Sequence, residues 1–68
     1  MKNLRTTAIE RINSYITYAE NTDCDIQMDR ELYYSACGKI HLAFDLELIT
    51  KDEKRALLSE AANRILGK

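Results

Sequence analysis

A chain of 68 residues has room for one domain at most, and a domain that small buries only about 60% of its unfolded surface. Residues 1–68 are therefore expected to form a single domain with a marginal core. Hydrophobic residues make up 46% and charged residues 31%, which suits a folded, soluble domain and argues against a disordered one. The formal net charge of −1 supplies no bulk attraction to nucleic acid or to an anionic membrane.

There is no proline, and the only glycines are Gly38 and Gly67. So few turn formers argue against many short strands and for a few long helices. The start, MKNLRTTAIERINSYITYAEN, carries charges throughout with no unbroken apolar run, unlike a signal peptide or a membrane span. A cytoplasmic location is expected, with Cys24 and Cys37 kept as reduced thiols.

The first helix is predicted over residues 4–20. Asn3 is a candidate N-cap, and Thr7 with Glu10 repeats the T-x-x-E capping pattern one turn later. Ile9, Ile12, Ile16 and Ala19 recur at spacings of three and four and make one face to bury, flanked by Ala8 and Tyr15. NTDCD follows, with Asn21 a candidate left-handed terminator and Thr22, Asp23 and Asp25 turn and cap residues.

The second helix is predicted over 29–46, with Ile26 and Met28 packing from the incoming loop. Tyr33, Cys37, Ile40 and Phe44 form its inner line, widened by Ala36 and Ala43. A glycine inside a helix costs roughly 1 kcal/mol against alanine, so Gly38 points to the close approach of a neighbouring backbone.

Thr50 opens the third helix, predicted over 51–66. T-K-D-E sets Thr50 at the N-cap and Glu53 at the third helical position, a capping box, with Asp52 in the positive first turn. Leu57, Leu58, Ala61, Ala62 and Ile65 make the apolar face, and Gly67 lies where a C-terminal cap belongs. Glu47, Leu48 and Ile49 are left as a tight connection, so the second and third helices form a hairpin. The expected fold is all-α, a compact three-helix bundle.

Residues 38–54, GKIHLAFDLELITKDEK, raise three possible chemistries. As a DNA-reading helix-turn-helix, Ala43, Leu46 and Leu48 fall at plausible positions. Glu47, however, replaces the usual turn glycine, and Glu53 stands where an apolar residue should turn inward. Lys51, Lys54 and Arg55 could touch phosphates, but Asp52 and Glu53 oppose them. As a metal site, Cys24, Cys37 and His41 with Asp45 lack the paired short spacing of a structural zinc centre. No metal and no cofactor are expected, with Cys37 a small apolar filler and His41 at the edge of the exposed face. Enzyme chemistry needs a nucleophile, a base and a cleft. One histidine, no glycine-rich loop and little volume argue against it.

Charge and aromatic placement point to protein partners instead. Residues 20–31 hold five acids (Glu20, Asp23, Asp25, Asp29 and Glu31) against Arg30 alone, while bases gather near the ends at Lys2, Arg5, Arg11, Lys54, Arg55, Arg64 and Lys68. Such an acidic loop suits a basic partner surface, although Asp and Glu also favour turns and helix starts. Tyr34, Gly38, His41 and Asp45 form a second line along the second helix, beside the apolar one. Tyrosine in such a line suits a contact face for a partner or a second copy of the chain. The expected contact set is Asp23, Asp25, Asp29, Tyr34, His41 and Asp45, with Lys51, Lys54 and Arg55 as the nucleic-acid alternative.

The text YYSACGKIHLAFDLELITKDEKRALL, residues 33–58, resembles a helical hairpin of small proteins from Gram-positive bacteria, phages and mobile elements. Those read tyrosines, a small-residue helix, A-F-x-L-G-L-I-T, an acidic pair and an amphipathic helix. This chain departs from the pattern at Glu47, where the family places glycine. Some similar compact phage products are anti-CRISPR inhibitors that block the nucleic-acid site of a host nuclease. The resemblance therefore implies a non-enzymatic inhibitor with a host protein partner.

Overall fold

The computed structural model describes residues 3–68; Lys2, one of the terminal bases, lies outside them. Asn3 adopts extended backbone and its side chain accepts the Thr6 N–H at 2.7 Å, starting α1 (Leu4–Asn21). Asn3 thus begins the helix, one turn before the Thr7–Glu10 pattern. Ile12, Ile16 and Ala19 are buried along one face and Ile9 is half-buried, as the three-and-four spacing requires.

The end of α1 is closed by side chains rather than by a left-handed residue. Asn21 remains helical, and Thr22 is extended at φ −83°. The Asn21 amide donates to the Thr17 carbonyl at 3.0 Å and the Thr22 hydroxyl to the Tyr18 carbonyl at 2.7 Å. Thr22 N–H and the Lys68 ammonium both reach the Ala19 carbonyl, at 3.3 and 2.6 Å. The last carbonyls of a helix lack intrahelical donors, and here polar side chains and a distant lysine supply them.

Helix α2 spans Ile26–Asp45, starting three residues earlier than the sequence suggests. Asp25 is the reason: its side chain accepts the Met28 N–H at 2.8 Å, so it is the N-cap, and Ile26 and Met28 belong to the first turn. Both are exposed rather than packed from the loop. The inner line is centred on Ala36, Ile40 and Ala43, which are buried, while Tyr33, Cys37 and Phe44 are half-buried at its edge.

The corner between α2 and α3 is a complete Schellman motif. Glu47 N–H donates to the Phe44 carbonyl and Leu48 N–H to the Ala43 carbonyl, both at 2.9 Å. This requires the residue between Leu46 and Leu48 to be left-handed, and Glu47 has φ 60°. Among the described residues it is the one non-glycine with positive φ. The motif turns Ile49 into the core, where it is 5% exposed.

Helix α3 (Lys51–Ala61) opens on the expected capping box. Thr50 accepts the Glu53 N–H at 3.1 Å, and the Glu53 carboxylate accepts the Thr50 N–H at 2.8 Å. A π-helical turn, Ala62–Leu66, continues it and buries Ile65. Gly67 follows with φ −90°, outside the left-handed region.

The three helices pack as an all-α three-helix bundle. Helix α2 lies against α1 on one side and α3 on the other, and the π turn meets all three. The core joins Ile12, Ile16 and Ala19 to Ala36, Ile40 and Ala43, and to Ile49, Leu57, Ala61 and Ile65. Polar clasps tie α1 to the last helical segment. Arg5 meets Glu53 at one end. At the other, Arg64 bonds Glu20 and the Thr17 hydroxyl, both at 2.9 Å.

Candidate interaction surfaces

Three parts of the surface carry the residues singled out by sequence: the α1–α2 loop, the outer face of α2, and the start of α3. In the loop, Asp23 and Asp25 are exposed, whereas Asp29 is drawn inward with a side chain 14% exposed. The Lys68 ammonium lies 3.0 Å from the Asp29 carboxylate and also donates to the Thr22 carbonyl at 2.7 Å. The Cys24 thiol donates to the same carboxylate at 3.0 Å. The hydrogen bond from Cys24, then the bond and charge of Lys68, hold the Asp29 carboxyl below its usual range. The adjacent anion pushes the Cys24 thiol up, which lowers its thiolate fraction and its reactivity. Asp29 thus holds the loop to the end of the bundle, while Asp23 and the outward side of Asp25 face solvent.

On α2, Tyr34, Gly38, His41 and Asp45 are all exposed and follow one another at helical spacing. Tyr34 is 68% exposed, its ring resting against Tyr33 at 5.7 Å between centroids. A Cβ built on Gly38 would meet nothing within 4 Å. No neighbouring backbone approaches it, contrary to the expectation that its helical cost implied. The gap in the side-chain row leaves the helix backbone bare between Tyr34 and His41.

At the start of α3, Lys51 and Arg55 are exposed, but the Lys54 ammonium sits 4.5 Å over the Phe44 ring. Glu53 is held below the usual carboxylate range by its capping bond to Thr50 and by Arg5. The basic residues are interleaved with the acidic side chains of Asp52 and Glu53. Among the described residues no group of three or more His, Cys, Asp or Glu converges as a metal site. Cys24 lies at the loop end and is held to Asp29, away from Cys37 and His41 on the middle of α2. No described helix is long and apolar enough to cross a membrane.

A fourth surface escaped the sequence reading. Between α1 and α2 runs an open groove of about 880 Å³. Ala8, Ile12 and Tyr15 line it from one helix, and Leu42, Ala43 and Leu46 from the other. Leu42 and Leu46 are 58% and 60% exposed, and Glu10, Arg11 and Lys39 stand around the groove. The Lys39 ammonium lies 4.8 Å over the Tyr15 ring. The signal was present as a leucine pair four residues apart on α2, off the inner line through Ile40 and Phe44.

Comparison with protein-family models, with curated proteins and with solved structures finds no match to this chain.

Proposed function

We propose that this chain is a non-enzymatic protein-binding module. Its contact face is the line Tyr34–Gly38–His41–Asp45 on α2, flanked by Asp23 and Asp25 at the near loop. The observation that carries this reading is Tyr34. A large amphipathic ring, 68% exposed, stands beside the exposed Gly38 on a helix face that no other element among the described residues covers. Interface hot spots are rich in such tyrosines, because the ring buries much area while its hydroxyl keeps a partner.

The acids that flank this line suit a basic partner, of the kind that otherwise holds nucleic acid. An inhibitor of a host nucleic-acid enzyme is the specific form that fits, in keeping with the anti-CRISPR resemblance of residues 33–58. Asp29 contributes indirectly, by positioning the loop through Lys68.

Paired affinity captures from a Gram-positive lysate test the proposal. One bait carries the native chain. The other carries Tyr34→Ala, His41→Ala and Asp45→Arg, all at exposed positions, with helicity checked by circular dichroism. A protein retained by the native bait alone, and released by added nucleic acid, is the expected result. The same set of proteins on both baits would remove the proposed face.

A further inference from the structure

The groove between α1 and α2 lies on another side of α2 from the Tyr34 line, and the proposed partner face leaves it uncovered. Two helices packed side by side leave a furrow on each side of their contact. Leu57 and Ala61 of α3 and Ile65 of the π turn join the core against one side of the α1–α2 pair. No residue of α3 or the π turn lines the furrow on the other side, which stands open. We infer that this groove is the docking site for an acidic amphipathic helix of another protein, seated as a fourth helix of the bundle.

Shape sets the form of the occupant. The lining runs from Thr7 to Tyr15 on α1 and from Lys39 to Leu46 on α2. At about 1.5 Å per residue, each wall is roughly 10–12 Å long. That matches two turns of a helix, whose apolar side chains at i, i+4 and i+7 cover about 10.5 Å. Leu42 and Leu46, 58% and 60% exposed, present two apolar contacts four residues apart. Ala8, Ser14 and Ala43 are small, which leaves room for side chains entering between the walls. A helix lies on such leucines with its own backbone N–H and C=O groups already paired, whereas an extended chain would leave them without partners. On the closed side, Leu57, Ala61 and Ile65 approach the same helix pair at intervals of four.

Charge sets its sign. Glu10, the acid of the rim, already has an interaction of its own. Arg11 and Lys39 are exposed, and among the described residues neither is ion-paired. Arg11 stands on the α1 wall and Lys39 on the α2 wall, so a seated helix meets positive charge on both flanks of its apolar stripe. The Tyr15 ring under the Lys39 ammonium, at 4.8 Å, holds that group at the groove and leaves its charge intact. Aspartates or glutamates beside the stripe complement these two bases, and lysines there are repelled. A nucleic-acid strand would instead set its phosphates against Leu42 and Leu46.

A displayed library tests the inference. Its members are helical peptides of about 14 residues, some four turns, with leucine fixed at i, i+4 and i+7 and the flanking positions randomised. Selection on the native chain should enrich Asp and Glu at the flanks. A selected acidic peptide should shift the amide resonances around Leu42 and Leu46 of the labelled chain. Leu42→Gln with Leu46→Gln should weaken its binding by roughly 30-fold or more. Arg11→Glu with Lys39→Glu should weaken it roughly tenfold, and a peptide carrying lysines in place of its acids should then bind the better of the two. Both bases are exposed, so the charge-reversal pair keeps the test decisive if the leucine variant folds poorly. Selection without enrichment of acids overturns the inference, as does an acidic peptide indifferent to both pairs of substitutions. So do stronger shifts at Leu42 and Leu46 from a second copy at raised concentration, from single-stranded DNA or from phosphatidylglycerol vesicles. The chain carrying Tyr34→Ala, His41→Ala and Asp45→Arg should bind the peptide as the native chain does, so failure here is distinct from failure of the proposed partner face.

Discussion

The Lys68 ammonium stands 3.0 Å from the Asp29 carboxylate while donating to the Ala19 and Thr22 carbonyls at 2.6 and 2.7 Å. One side chain from the last residue thereby closes the end of α1 and holds the start of α2. Asp29 contributes the negative charge that places it there, and the Cys24 thiol completes the carboxylate's partners.

Acid should loosen the fold at both ends of the bundle. Glu20, Asp29 and Glu53 all have carboxyls held below their ordinary values, by Arg64, by Cys24 with Lys68, and by the Thr50 cap with Arg5 respectively. A carboxyl whose folded pKa is depressed stabilises the fold above its unfolded pKa, about 4. That contribution is lost as pH falls through the lower folded value. Thermal unfolding should therefore change little between pH 7 and about 5, and the midpoint should drop progressively below pH 4. Asp29→Asn should lower the midpoint at pH 7 and flatten the acid dependence. An acid profile identical to that of the native chain would remove Asp29 from the clasp.

Glu47→Gly should stabilise the protein. Left-handed backbone costs an L-residue roughly 1–2 kcal/mol, and Glu47 bears it at φ 60° to complete the Schellman motif. Glycine adopts that conformation freely, although it loses more entropy on folding. A net gain of about 1 kcal/mol is expected from urea unfolding, with the slope against denaturant unchanged.

The two glycines should respond to alanine in opposite directions. Gly38→Ala adds a methyl group into open space on an exposed helix face and should stabilise by about 0.5–1 kcal/mol. Gly67→Ala places a Cβ 2.5 Å from the Asn63 carbonyl oxygen, so the end of the π turn must shift. That shift would move Lys68 off the α1 carbonyls and lower the unfolding midpoint. Equal effects of the two substitutions would contradict the geometry at one of them.

Most of the secondary structure was legible because local rules decide it. Asn3 and Thr50 cap the helices they precede, and the spacing through Ile12, Ile16 and Ala19 sets which face of α1 is buried. The same rules misplaced the start of α2. Asp25 and Asp29 are both plausible helix starts in isolation, and the choice of Asp25 as cap releases Asp29 to meet Lys68, 39 residues away in sequence. Asn21 likewise suits a left-handed terminator, yet Lys68 and Thr22 supply the donors that make one unnecessary.

By itself, then, the sequence determined an all-α chain, its three helices, two of their caps and the line of exposed side chains from Tyr34 to Asp45. These depend on periodicity and on hydrogen bonds within a few residues. Only the tertiary structure decided which charges are engaged, which glycine is crowded, and that Leu42 and Leu46 stand beside a groove. Those outcomes depend on how α1, α2 and the π turn meet, and contacts between residues distant in the chain leave no periodic trace in it.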